Sequence, residues 1–496
     1  MVISPISLAT GILLLALLYR YVVWPCFFSP LAKIPNAHFT SPISSKWIEQ
    51  GADNTQVRTI HALHQKHGAV VRLGPNELSV NSLHGLRTIY TGAFEKDAFY
   101  QKVFVNFQTD NMVGMIHNQA HGQRKRMLSR IFSKSFLRES KDLRDISAMV
   151  LSQRLFPILS RVAKTGEAIN VLPLFQAVGM DFTSSFLFGT RNSTMYILNL
   201  PEWQQWLDEY EKFKYMSREE RYLGFIERWC LSLCRKMEGN DAPNDVNVDT
   251  NPVVYDQLRA SLEKEQNNPR SLEFAIASEL LDHLVAGHET SGITFTYMMW
   301  ELSRHSQLQH ELRQELLTLT PTLEYPFYTR NAEDSLPTFP SPSAIDSLPL
   351  LDAIVRETLR LHPPASQSLL RVTPSTDDGI SLNGYGGIPG GVRVGSSAYS
   401  LHRIEDVYPN AEEWLPKRWL RPEESKIHDM RRLWFPFGSG GRVCLGSNFA
   451  LQEIKLVMAV AYTNFTTSII DDEGIEQDHE FISLPKGRKL VLQFSH

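Results

Sequence analysis

One cysteine stands apart by the company it keeps. The run Phe437-Gly-Ser-Gly-Gly-Arg442-Val-Cys444-Leu-Gly446 sets a single thiol among four glycines, just ahead of a helical pattern from Ser447 to Tyr462. Glycine permits backbone conformations closed to other residues and lets the main chain approach a flat ligand closely. At a helix start, unpaired N–H groups and the positive end of the helix dipole favour the thiolate form of a cysteine. A metal held by one sulfur, with no companion His or Cys, implies a macrocycle that already fills the in-plane positions, and that macrocycle would be haem. The remaining cysteines offer no rival site. Cys230 and Cys234 share a helical face and read as packed thiols, since zinc would need two further ligands that the neighbourhood lacks. Four scattered cysteines are also too few for a disulfide framework, which places the main body in a reducing compartment.

Three more groups have the types and spacing for chemistry or for a lock. In Glu357-Thr-Leu-Arg360 a carboxylate and a guanidinium lie three apart on one helical face, where they can pair. Downstream lies Pro416-Lys-Arg418-Trp419. The third, Ala286-Gly287-His288-Glu289-Thr290-Ser291, sits in the longest helical pattern of the chain. Gly287 weakens that helix and the Thr290 hydroxyl competes for a main-chain carbonyl, so the ladder is expected to open locally and leave a groove for dioxygen and water. The alternative is that Thr290 bonds only its own helix and Glu289 is solvated. His288 is given no role and reads as exposed or satisfied in the core.

In this order the motifs resemble those of the cytochrome P-450 superfamily, and the resemblance runs over essentially the whole chain. It implies haem b, iron protoporphyrin IX, with Cys444 as the axial ligand of the iron. Arg442 and Arg371 would reach the two propionates, and Phe437, Gly446, Ala286 and Gly287 would lie against the macrocycle. Thr290 would hydrogen-bond dioxygen, and Glu289 would relay protons towards it. Glu357, Arg360 and Arg418 would form a buried triad behind the haem, with no catalytic part. The segment HGQRKRMLSRIFS, residues 121 to 133, is similar to the helix in which the family commonly sets Trp-x-x-x-Arg against the haem edge. Here His121 and Lys125 occupy those two places, and both can still donate to a propionate.

The same resemblance implies a monooxygenase that hydroxylates or epoxidises an apolar small molecule, with electrons from NADPH-cytochrome P-450 reductase and cytochrome b5 as a further donor. The pocket would be walled by residues around 99–117, 200–225, 278–290, 365–370 and 481–484. The phrases LAKIP, VVRLGPNELSV and AGHETSG look most like fungal members that tailor secondary metabolites. A dioxygen-independent isomerase or dehydratase, and a non-enzymatic haem or lipid carrier, are the competing readings. Arg126, Arg130, Lys134 and Arg138 recur every four residues; if that stretch is one helix, they form a basic stripe for an acidic reductase, or else an ordinary solvated face.

These residues need a scaffold, and the pattern predicts a mainly α fold with a minor β-sheet, in one large haem-binding domain. Apolar residues recur at helical spacing through 141–160, 171–188, 203–234 and, for more than thirty residues, 271–304. Alternation with a turn at Gly74 to Asn76 predicts a hairpin over 70–80. Polar stretches at 238–270 and 319–346 read as exposed connections. From Ile6 to Trp24 the chain is long and apolar enough to span a bilayer. The predicted division is an anchor at 1–24, a proline-rich connector at 25–42 that is not helical, and the enzyme domain at 43–496. Arg20 and Lys33 follow the span and no basic residue precedes it, so a single-pass protein of the endoplasmic reticulum membrane with a cytosolic domain is expected. A net charge of -4 offers no basic face for nucleic acid.

Overall fold

The computed structural model describes residues 5–49, 56–238, 248–265, 268–331, 334–420 and 424–496. Parts of the two polar connections, at 239–247, 266–267 and 332–333, lie outside them. The helices that matter for the site are α1 (Pro5–Leu18), α2 (Phe99–Phe104), α3 (Asn118–Ser129), α4 (Lys134–Glu139), α5 (Val171–Phe188), α6 (Leu200–Tyr215), α7 (Pro269–Arg304), α8 (Pro349–Leu361) and α9 (Ser447–Asn464). The strands are short: β1 (Val70–Gly74), β2 (Glu77–Val80), β3 (Glu95–Lys96), β4 (Ile169–Asn170), β5 (Arg371–Val372), β6 (Ile380–Leu382), β7 (Tyr385–Ile388), β8 (Arg393–Gly395), β9 (Thr466–Asp471) and β10 (Val491–Ser495). They form a five-stranded sheet in the order β1-β2-β8-β5-β3, a three-stranded sheet β4-β10-β9 and the ribbon β6-β7. The expected hairpin is β1-β2, antiparallel with Val70 opposite Val80.

The core is built on α7. Asn268 accepts hydrogen bonds from Arg270 N and Ser271 N, and Pro269 takes the first helical position, where its missing N–H costs nothing. From there 36 residues run without interruption, about 54 Å at 1.5 Å per residue, through the middle of the molecule. Against it lies α5, apolar enough to cross a membrane yet buried along almost its whole length. Glycines set how closely the two approach. A Cβ on Gly179 would stand 2.9 Å from the Gly287 carbonyl oxygen, one on Gly287 2.2 Å from Thr183 Oγ1, and one on Gly292 2.5 Å from Gln176 Cγ.

This corrects the reading of Gly287. The helix does not open there, because the face left bare by the missing side chain is filled by Thr183 of α5, and packing holds the ladder closed. We expect Gly287→Ala to destabilise the fold by about 1–3 kcal/mol through overpacking, with partial recovery when Thr183→Ala is added. Denaturant midpoints of the single and double variants check the coupling.

Three other expectations are revised. The first helical stretch does not stop at Trp24: it continues as a wider helix from Tyr19 to Phe28, closed by Ser29 N donating to Trp24 O (2.9 Å), and Pro25 lies inside it. A wider turn leaves room for the proline ring, so 24 residues, Pro5–Phe28, form a helix long and apolar enough to cross a membrane. The connector then turns at Pro30–Lys33, and Leu31 and Ile34 pack under the five-stranded sheet. The 238–270 connection holds a helix, Val253–Leu262, with Val254, Tyr255, Leu258 and Leu262 buried. Finally, the basic stripe is not one helix: α3 ends at Ser129, and Ser133 caps α4 by accepting from Phe136 N. Lys134 and Arg138 both pair with Asp346, at 2.7 and 2.9 Å.

Candidate active site

The cysteine loop is held from two sides. Gly440, at φ 69°, brings the chain so close to Tyr90 that a Cβ there would stand 2.0 Å from its carbonyl oxygen. Cys444 N donates to Phe437 O (2.9 Å), closing the loop just before α9. On the other flank Lys125 of α3 donates from Nζ to Gly441 O (3.0 Å) and Val443 O (2.6 Å). Its ammonium therefore clasps the loop, where a propionate contact had been expected. A Cβ built on Gly441 or Gly446 meets nothing, and the Cys444 side chain is accessible although protein surrounds it, so this side of the loop opens on an internal space. Burial pushes the Cys444 thiol up, against the pull of the Gly446 and Ser447 N–H groups and the Lys125 charge; the Asp282 carboxylate adds to the upward push. The lowering expected from the helix start is thus outweighed by desolvation until a metal cation is present.

Next to that space is a cavity of about 130 Å³ lined by Tyr90, Phe94, Asn118, His121, Arg371, Ser439, Gly441 and Arg442. Arg442 donates from Nη1 to Met115 O (2.7 Å), from Nη2 to Ile116 O and from Nε to Asn118 Oδ1 (2.8 Å). Arg371 lies over the Tyr90 ring, 5.0 Å from its centroid, and donates to Leu370 O (2.8 Å). Among the described residues neither guanidinium pairs with a carboxylate. Burial and the Arg371 charge lower the Arg442 guanidinium to about 10, and burial with Arg442 and Lys96 lowers His121 to about 3. Lys96, buried nearby with its Nζ on Val113 O (2.7 Å), is lowered to about 7 by burial and by both arginines. Buried like charges without an anion are costly, so the cavity calls for carboxylates from outside the chain. A haem, with two propionates and one axial sulfur to find, fits this donor set.

Across the space runs α7. Ala286 and Thr290 are accessible on a helix that is otherwise largely enclosed, so they face the opening. Thr290 Oγ1 donates to Ala286 O (2.8 Å). Glu289 is neither solvated nor joined to Thr290: its carboxylate pairs with Lys214 Nζ of α6 (2.7 Å) and accepts from the Tyr210 hydroxyl (3.1 Å), and Lys214 also reaches the exposed Glu211 (2.7 Å). His288 is wholly buried, its Nδ1 on Leu284 O (3.0 Å), with Trp203, Trp206 and Tyr210 edge-on at 5.1–5.4 Å; burial lowers it to about 4. Trp203, Trp206, Tyr210 and Phe213 of α6 are therefore core, while Tyr215 at its end is exposed. Phe99, Tyr100 and Phe104 of α2 instead gather with Phe481, at 5.1–6.2 Å, over the expected pocket wall.

The triad closes as expected. Glu357 receives Arg360 at both oxygens (2.9 and 2.9 Å), Arg418 Nε (3.0 Å), Trp419 Nε1 (2.8 Å) and Leu415 N (2.9 Å). Three residues at the site escaped sequence reading: Asp282, a partly accessible carboxyl, Glu453, a buried one, and Asn118, which anchors Arg442. Glu453, nine residues beyond Cys444, accepts from Ser291 Oγ (3.4 Å), and burial pushes its carboxyl well up. Another concavity, of about 370 Å³, lies elsewhere, between α4, α8 and α9.

Comparison with known proteins agrees with this geometry. The chain is 28% identical to cytochrome P450 monooxygenase avaI of Aspergillus versicolor over 79% of its own length and 94% of that protein. It is 24% identical to cytochrome P450 monooxygenase orf2 of Aspergillus niger, covering 97% and 96%, and 26% identical to cytochrome P450 monooxygenase sdnE of Sordaria araneosa, covering 97% and 95%. The family model described as cytochrome P450 matches residues 41–492, so the chain belongs to the cytochrome P450 family, which implies a haem-thiolate cofactor.

Proposed function

We propose that this chain is a fungal secondary-metabolite monooxygenase that hydroxylates or epoxidises a largely apolar small molecule. Electrons come from NADPH through NADPH-cytochrome P450 reductase, with Pro5–Phe28 as a single-pass anchor in the endoplasmic reticulum membrane and the enzyme domain in the cytosol. The observation that carries this reading is the accessible thiol of Cys444 beside the buried Arg371 and the half-buried Arg442, neither of which pairs with a carboxylate among the described residues. The haem supplies the oxidising chemistry when bound: one oxygen atom of dioxygen enters the substrate, and the other leaves as water with two electrons and two protons. The protein's part is holding, shielding and proton supply. Arg371, Arg442 and His121 hold the propionates, and Lys125 fixes the loop that aims the sulfur. Thr290, released from Ala286 O, donates into the internal space that it faces. Glu289 draws protons from solvent through Lys214 and Glu211 and passes them inward when its ion pair opens.

Turnover should depend on both NADPH and reductase, and extracted metabolites of a deletion strain should accumulate an unoxidised precursor. A product formed without either electron source would favour isomerase or dehydratase chemistry. Thr290→Ala is expected to divert reducing equivalents into hydrogen peroxide, because the site then loses a donor for proton delivery. Unchanged coupling between NADPH consumed and product formed would remove Thr290 from its role.

A further inference from the structure

The concavity of about 370 Å³ between α4, α8 and α9, closed on another side by the helix Lys141–Met149, has the volume of a small-molecule site and not the broad area that a protein partner covers. Seven cationic and three anionic side chains line it, which leaves four positive charges in excess. The carboxylates are shared among cations and do not cancel the rest. Asp346 pairs with Lys134 (2.7 Å), Arg138 (2.9 Å) and Lys455 (3.1 Å), and Asp352 with Lys455 (2.8 Å) and Arg356 (2.6 Å). Asp145 is matched by Lys141 (2.6 Å). Burial would raise the Asp346 carboxyl, but hydrogen bonds from Lys134 and Arg138 and the Lys455 charge hold it at about 2, so it is already an anion and the lining is still positive. Arg144 donates to the carbonyls of Arg138 and Glu139 (3.3 and 3.1 Å), and among the described residues neither Arg144 nor Arg330 pairs with a carboxylate.

Several of these charges are fixed in place. The Lys455 side chain is 6% exposed, and Arg356 stacks on Trp434 at 5.0 Å. Cations held before a ligand arrives lose little freedom on binding, and a concave lining of one sign concentrates its field. Phe339, Ile345 and Leu451 give the same concavity an apolar part. We propose that it binds a phosphate-bearing small molecule, with the phosphate oxygens on Lys134, Arg144 and Arg330 and the organic part on those apolar side chains. The paired N–H groups of an arginine match phosphate oxygens, and an occupant there rests on α9, the helix that leaves the cysteine loop.

The test is calorimetric titration of the purified full-length holoenzyme, in detergent and magnesium-free buffer, with ADP and with inorganic pyrophosphate. ADP should bind one to one and more tightly than pyrophosphate, and both should weaken as ionic strength rises. Arg144→Ala and Lys134→Ala should each weaken both probes about tenfold or more, the loss of one charge-assisted contact. Asp346 keeps Arg138 and Lys455 when Lys134 is removed, so the fold should hold. Asp145→Asn, which frees Lys141, should tighten both probes. Equal affinity for the two probes would overturn the assignment to an organic phosphate. No saturable binding of either probe, or affinities unmoved by both Arg144→Ala and Asp145→Asn, would overturn the site itself. So would variants that left ADP binding untouched while weakening association with the reductase, because the cations would then serve that partner.

Discussion

Cys444→Ser is expected to abolish the ferrous-carbonyl spectrum of a thiolate-ligated haem and all reductase-supported turnover. Serine keeps the size and the loop hydrogen bond from the main-chain nitrogen, so the loop should still close. What it loses is an atom that readily becomes an anion near neutral pH: a thiol titrates near 8.5 and is drawn down further by a cation or a metal, whereas a hydroxyl starts far higher. Cys26 lies in the N-terminal helix, and the two other cysteines cannot substitute. Cys230 and Cys234 are buried in the helix Phe225–Lys236, with the Cys230 thiol against Ala277 O (3.5 Å) and burial holding it well above its usual range. A thiolate-type spectrum surviving in the serine variant would falsify the assignment of the ligand. The expected loss is total for the spectrum, and haem content per protein should fall as well, because the propionate contacts are then left to hold the group without an axial bond.

What could be read from the sequence follows a physical divide. Cys444, Arg442 and the flanking glycines lie within ten consecutive residues, and a loop so short carries its own geometry; Glu357 and Arg360 are legible for the same reason, three apart on one helix. Residues whose meaning depends on distant partners were not. Asp282 looks like any polar residue of a long helix until Arg124, Glu279 and Lys96 are placed around it. Lys125 stands where a propionate ligand was expected, but the loop carbonyls of Gly441 and Val443 come closer. Gly287 shows the divide most clearly. Local propensity says that a glycine weakens a helix, yet Thr183, more than a hundred residues away, fills the gap and keeps the turn closed. Glu289 is similar: its partner Lys214 sits on another helix, so solvation and a proton relay towards dioxygen were the only local options in view.

Glu357→Ala should cost about 3–5 kcal/mol of folding stability, the largest effect expected of any substitution outside the haem site. Its five hydrogen bonds come from two guanidiniums, one indole and one main-chain amide, and they leave neither oxygen unsatisfied. Removing the carboxylate strands the wholly buried Arg360 and the nearly buried Arg418 without a counter-charge, and breaking a buried pair from one side is what produces penalties of that size. The reverse change, apolar residues at all three positions, should cost far less, because no charge is then left behind. Acid dependence gives an independent check. Burial alone would raise the Glu357 carboxyl, but the Arg360 and Arg418 charges overcome it and hold it below the ordinary value of 4.5. A lowered folded-state value means that the stabilisation is full above about pH 4.5 and is lost as pH falls through the depressed value. The gap between wild type and Glu357→Ala in urea midpoint should therefore be constant from neutral pH down to about 5 and shrink below that. A gap that stayed constant into stronger acid would show that Glu357 contributes through shape and not through charge. Because Arg360 also donates to the carbonyls of His402, Ala411 and Glu413, loss of Glu357 should loosen the segment that leads to Phe435 and the cysteine loop. Weaker haem retention at temperatures below global unfolding is the expected sign of that path.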